Sequence, residues 1–205
     1  MKSKPVNEED IINAFRRGDI IIFPTDTSFG IGCIISNTGS IKRMYKIKGR
    51  PEGKPSTILV SSVEMAREYA IFDNRALLLA KRFWPGPLTL VLSSGNLAPN
   101  FIKGEGGTLG IREPDHDLLK TIIDKIGEPI LGPSANFSGD NAPYNLGAID
   151  KKLIGMVDYV IEEKCGGQQN STIIDLTNNK MSLVRKGPID IKDIKGVLRS
   201  VSSIN

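Results

Sequence analysis

The stretch that most limits what this chain can become is Ile20 to Gly32, IIIFPTDTSFGIG. Its leading apolar residues, Ile20 to Phe23, read as a short buried strand rich in β-branched side chains. Pro24 ends that strand, because proline has no N–H to give to a ladder. Thr25, Asp26 and Thr27 follow, then Gly30 and Gly32. A hydrophobic strand that runs out into hydroxyls and a carboxylate, then turns on glycine, builds a binding edge. Asp26 has two readings: it orients the loop through backbone N–H groups, as turn aspartates do, or it assists a metal.

Composition narrows the class. At 205 residues the chain can bury one good core, or at most two small domains. Lysine and arginine exceed aspartate and glutamate by 27 − 23 = 4, a modest excess compatible with an anionic ligand or weak nucleic-acid contact but predictive of neither. Cys33 sits in an apolar run as a small core residue, and two cysteines make no disulfide framework, so a reducing compartment is expected. No apolar run approaches the roughly 20 residues that cross a bilayer. The opening MKSKPVNEEDII lacks a signal peptide's apolar segment, and a cytoplasmic location is expected. The single histidine, His116, precedes the helical pattern Leu118–Ile126, a capping or surface place. No zinc ligand set and no nucleophile elbow accompanies it.

Periodicity and caps predict helices over Glu8–Arg17, from Asn37-Thr38 or Ser40 through Ile47, and from Ser61 (with Glu64 at capping-box spacing) to Tyr69. Further helices are expected at Asn74–Phe83 behind Asp73, from Pro114-Asp115 to Gly127, and near Asp190–Leu198. Strands are expected at Ile20–Phe23, Ile31–Ile35, Thr57–Val60, Leu88–Leu92, Thr108–Arg112, Pro129–Leu131, Tyr159–Ile161 and Ser171–Leu176. Asn178-Asn179 reads as a type I′ hairpin turn into Met181–Val184. The stretch from Ser93 to Gly107 reads as flexible, either a lid or a passive loop. Strands and helices alternate without strict βαβ regularity, so the expectation is a single α/β domain with a mixed twisted sheet.

Several loops share one design, a short strand followed by hydroxyls, glycine and a cation. Phe23 leads to Thr25 and Thr27, Leu131 to Ser134, Asn136 and Ser138, Gly167 to Ser171 and Thr172, and Val184 to Arg185. Strand ends are where open α/β sheets collect ligands, so a shared cleft is expected. Lys46, Lys48, Arg50 and Lys54, with Arg112 and Arg185 at strand ends, supply cations suited to phosphate and carboxylate. Together they would hold a polyphosphate and a small zwitterion. Neither G-x-x-x-x-G-K-[ST] nor G-x-G-x-x-G is present, which excludes the usual nucleotide folds. What remains is catalysis by positioning and charge neutralisation, with Mg²⁺ on the phosphates.

The ordered motifs PTDTSFGIG, KGRPEGKP, WPGPLTLVL, TLGIREPDH, GPSANFSG, STIIDL and LVRKG resemble the YrdC family of threonylcarbamoyl-AMP synthases, from about Ile20 to Gly187. The resemblance implies a single α/β domain over residues 1–205, motif-bearing from about 8 to 188, with a twisted open mixed sheet around a large basic cavity. It implies a nucleotidyltransferase: L-threonine, bicarbonate and ATP give threonylcarbamoyl-AMP, pyrophosphate and water, for threonylcarbamoyl-adenosine modification of tRNA. The implied further partners are tRNA and the transferase that uses the product, with no membrane. By position, Thr27, Arg112 and Ser171 contact threonine. Lys48, Arg50 and Lys54 face the ATP phosphates, Lys48 and Arg50 as the catalytic pair, and Thr108, Ser134, Asn136 and Arg185 complete the ATP site. No protein residue is assigned to metal; Mg²⁺ is bound through the phosphates.

The sequence also departs from the family. Ser56 follows Pro55 where many members carry leucine, and Leu59 stands where some carry histidine. Phe29 replaces the commoner tyrosine, and Ala142 stands where members often show a hydroxyl or proline. The chain resembles the short form, without the extra C-terminal domain of longer members. An RNA-binding module using the same concavity without chemistry is the alternative. Against it, 6% aromatic residues are few for a stacking platform. A third reading is a paralogue that transfers carbamoyl groups elsewhere, as in hydrogenase maturation proteins.

Overall fold

In the computed structural model, which describes residues 7–202, local chemistry sets most helix boundaries. The stretch read for a leader, from Met1, and the terminus at Asn205 lie outside the described residues. Helix α1 (Glu8–Arg17) begins where the Asn7 side chain accepts from Glu9 N and ends at Gly18, φ 86°. Asn37 caps α2 (Thr38–Lys48), which stops on a left-handed Gly49. Helix α3 (Val63–Tyr69) is capped by Ser62, whose side chain accepts from Met65 N. The Ser61–Glu64 box is therefore one residue out of step, and Ser61 Oγ turns instead to Met65 and Asp124. Asp73 caps α4 (Asn74–Phe83). Helix α5 (Asp117–Ile126) begins later than Pro114-Asp115, because His116 Nδ1 accepts from Leu119 N and serves as its cap. Two more helices follow, α6 (Lys151–Ile154) and α7 (Ile191–Ser202).

The strands are β1 (Ile21–Phe23), β2 (Gly30–Gly32), β3 (Thr57–Leu59), β4 (Leu88–Ser93), β5 (Thr108–Arg112), β6 (Ile130–Leu131), β7 (Tyr159–Val160), β8 (Thr172–Asp175) and β9 (Ser182–Arg185). They form two mixed sheets rather than the one expected, in orders β2-β1-β7 and β6-β3-β5-β4-β8-β9. The Asn178-Asn179 type I′ turn does not form. It would need positive φ at both positions, and no described non-glycine residue has one. Instead Asp175 folds its carboxylate onto Thr177 N and Oγ1, opening a longer connection. The stretch 93–107 carries 3-10 turns at Asn100–Ile102 and Glu105–Gly107, with Ala98 and Ile102 buried in the core.

A seam of backbone hydrogen bonds joins the two sheets. Ile31 N donates to Pro133 O at 2.9 Å, Leu131 N to Cys33 O at 2.8 Å and Ala135 N to Phe29 O at 2.8 Å. This approach demands glycine. A Cβ on Gly32 would lie 1.8 Å from Leu131 O, while inside the small sheet one on Gly30 would lie 2.5 Å from the Phe23 ring. A second, smaller core of Ile12, Phe15, Phe23, Leu119 and Ile123 packs α1 and α5 against β1. Cys33 is buried and both cysteines are free. No helix of the described residues is long and apolar enough to cross a membrane.

Lys48, the last residue of α2, fastens the loop beyond β6. Its Nζ donates to Ser134 O and, at 2.6 Å, to Asn136 O, while its own carbonyl accepts from Ser138 N at 2.8 Å. Burial, with the Arg50 charge adding to it, brings the Lys48 amine down to about 7. Above that pH the unfolded lysine keeps a proton that the folded one has lost, so stability rises with pH. From about pH 9 the buried Cys33 thiol, pushed up to about 12, opposes this rise, and above roughly pH 10 it turns the slope the other way.

Stability measured by urea unfolding therefore increases from about pH 7 to about pH 9, and Lys48→Met flattens that rise. In the same assay Gly32→Ala costs roughly 3 kcal/mol by opening the seam. Gly196→Ala, on α7 with open space around the new methyl, gains roughly 0.5–1 kcal/mol.

Candidate active site

Strand ends from both sheets converge on one cavity of about 220 Å³. The loop after β1 contributes Thr25, Thr27 and Ser28; Arg112 ends β5; Ser134 follows β6; Ser171 precedes β8; and Arg185 ends β9. Arg50, from the loop after α2, also lines it. Six of the residues singled out by sequence, Thr27, Arg50, Arg112, Ser134, Ser171 and Arg185, thus meet in one place.

The hydroxyl loop has a fixed proton order. Thr25 Oγ1 donates to Ser28 O at 2.7 Å, so at 2.9 Å from Thr27 Oγ1 it can only accept. Thr27 Oγ1 therefore donates to Thr25 and accepts from Arg112 Nη1 at 2.7 Å. Its remaining lone pair can receive a ligand donor, but it has no proton to give. On the far wall, Arg185 donates through Nε to Ser171 O and through Nη2 to Ser171 Oγ, both at 3.0 Å. Ser171 Oγ lies 2.8 Å from Thr89 Oγ1. Burial lowers the Arg185 pKa, and the Arg112 charge lowers it further. Burial also lowers that of Arg112, with Asp26 opposing.

Asp26 pairs with Arg112, not with backbone N–H groups of its own loop. Arg50 donates to Pro55 O and lies over the Tyr45 ring at 5.7 Å. Three guanidinium groups against one carboxylate leave the cavity net cationic, fit for anions.

Other sequence-derived residues sit elsewhere. Lys48 lies behind the Ser134 loop, its amine spent on carbonyls rather than facing the cavity. Asn136 accepts from Ser134 Oγ and donates to Phe137 O and Asp140 O, so its amide is spent within that loop. Lys54 is exposed and does not line the cavity. Thr108 lines an adjoining groove with Pro55, Glu105 and Asp175. Phe29 is fully buried in the larger core, so the hydroxyl it lacks opens no gap in the cavity wall. Leu59 does line the wall, and Ser56 does not. Thr89 and Asn170 also line the cavity, and no sequence motif marks Asn170. Thr89, a lone hydroxyl between leucines on a strand 2% exposed at that point, carried the one usable signal.

Comparison with known proteins agrees with this architecture. The Sua5, YciO and YrdC family model, described as telomere recombination, matches residues 13–187. A threonylcarbamoyl-AMP synthase of Pyrococcus abyssi is 35% identical over 191 residues, 91% of this chain and 55% of that one. The structure of P. abyssi Sua5 complexed with L-threonine superposes with a TM-score of 0.88 at 34% identity, covering 95% of this chain and 59% of that one. Escherichia coli YciO gives 0.84 at 27% identity, covering 93% and 95%. The chain thus spans about half the length of the P. abyssi synthase and of a Bacillus subtilis synthase matched over 54% of its length. The match over most of its length and the shared fold establish that this chain belongs to the Sua5, YciO and YrdC family.

Proposed function

We propose that this chain is an ATP-dependent L-threonylcarbamoyl-AMP synthase, a nucleotidyltransferase. The observation that carries the reading is a cavity with three guanidinium groups and aligned hydroxyls but no group fit for covalent catalysis. His116 caps a helix, and burial pushes the Cys33 thiol up to about 12. The P. abyssi relatives, one named threonylcarbamoyl-AMP synthase and one complexed with L-threonine, support the same reading.

In this reading Arg112 takes the threonine carboxylate and Thr27 accepts from the substrate's hydroxyl or amine. Ser171, held by Arg185 and Thr89, closes the threonine side. The threonine amine and bicarbonate condense to a carbamate with loss of water. A carbamate oxygen then attacks the α-phosphorus, and pyrophosphate leaves with the P–O electron pair. Arg50 and Arg185 neutralise the charge that builds on the phosphates.

A cavity of about 220 Å³ is below the ~300–1,000 Å³ of pockets that engulf a drug-sized ligand. The nucleotide therefore extends past Asn170 and Arg185 into the adjoining groove beside Tyr144 and Lys186. Lys48 and Asn136 act through the loop that presents Ser134, Lys54 stays at the rim, and Thr108 borders the site. Among the described residues no group of three or more His, Cys, Asp or Glu side chains could hold a metal ion; Mg²⁺ enters with the nucleotide. The product passes in the cytoplasm to the transferase that modifies tRNA. An RNA module fits less well, because a nucleic-acid backbone does not reach an Arg112 that is 5% exposed.

Purified protein releases pyrophosphate only when ATP, L-threonine and bicarbonate are all present; threonine-independent release, or none, removes the reading. Arg50→Ala and Arg112→Lys each lower kcat/KM by roughly 100-fold while unfolding cooperatively. Arg112→Ala is the wrong variant for this test, since it strands Asp26 as a buried unpaired charge and costs roughly 3–5 kcal/mol.

A further inference from the structure

Asp26 is adjacent to the cavity but not in its wall: it faces an outer groove with Asp115, Gln168 and Gln169. From there its Oδ1 accepts from Arg112 Nη2, with side chains 12% and 6% exposed. An arginine and a carboxylate free to choose form a two-pronged fork that satisfies both oxygens. Here the fork is incomplete. Asp26 Oδ2 and Arg112 Nε are both buried without a partner, a cost that native structures seldom leave standing.

The reason lies in the backbone. Gly166 N donates to Thr25 O at 2.8 Å, and the chain presses so close that a Cβ on Gly167 would lie 2.5 Å from Asp26 O. Wedged there, Asp26 holds one corner of the guanidinium from outside while Thr27 holds the corner beside it from within the cavity, at 2.7 Å. Two fixed corners set the rotation of a planar group.

We propose that Asp26 is a positioning residue for amino-acid recognition: it sets the rotation of Arg112 so that the remaining N–H groups meet the substrate's α-carboxylate. The inference rests on the synthase reading. It makes the loop's acidic residue part of substrate selection, through Arg112 and without contact to the substrate. Its removal weakens binding of threonine and leaves the nucleotide, held by Arg50 and Arg185, as before.

Steady-state kinetics of Asp26→Ala, Asp26→Asn and Asp26→Glu test this. Asp26→Ala raises KM for L-threonine roughly ten- to hundredfold, with KM for ATP unchanged within about twofold. Asp26→Asn, which keeps an acceptor oxygen in place, recovers most of that loss. If Asp26→Ala does not fold, Asp26→Glu, charged but longer, gives the same split. L-Threoninamide, which has no carboxylate, supplies a second readout: wild-type discrimination against it collapses in Asp26→Ala. Equal rises in both KM values, or unchanged discrimination, reduce Asp26 to a structural role and overturn the proposal. A lower threonine KM overturns it too, by making Asp26 a competitor for Arg112. Should wild-type turnover not depend on threonine, the synthase reading itself fails, a result distinct from each of these.

Discussion

The structure depends on the seam between residues 29–35 and 129–135. Neither sheet alone surrounds a ligand. The small sheet carries the hydroxyl loop at one edge, and the large sheet carries Arg112, Ser171 and Arg185. The backbone bonds from Ile31, Leu131 and Ala135 bring those edges together. Gly32 is there because nothing larger lets the chains approach, and Gly30 leaves room for the Phe23 ring on the neighbouring strand. The same seam sets the Ser134 loop against α2, where Lys48 fastens it.

Within the cavity, order comes from directed hydrogen bonds more than from charge. Arg112 donates to Thr27, Thr27 to Thr25, and Thr25 to a carbonyl. That sequence leaves Thr27 an acceptor only, which is a statement about what a ligand must bring. Arg185 does the same service for Ser171. Preorganised groups of this kind need no rearrangement when charge develops, which is how a site without a nucleophile accelerates transfer at phosphorus.

Much of this was legible in the residues themselves. Helix caps, the buried strand Ile21–Phe23 and the cationic cleft follow from local chemistry, and so does the capping place of His116. What was hidden depended on distant partners. The way the two sheets are joined turns on pairing between Ile31 and Pro133, far apart in sequence. Lys48 and Arg50 share a motif, yet the end of α2 turns Lys48 onto carbonyls while Arg50, past Gly49, reaches the cavity. Spacing cannot tell the two apart. Sequence alone leaves Asp26 as a loop-orienting residue or an aid to a metal, because its partner lies 86 positions away.

The most direct test of the account is a crystal structure with L-threonine and a non-hydrolysable ATP analogue. The account requires the threonine carboxylate within hydrogen-bond distance of Arg112, its hydroxyl or amine donating to Thr27, and the phosphates against Arg50 and Arg185. Threonine bound away from Arg112, or a nucleotide whose phosphates avoid both arginines, contradicts it.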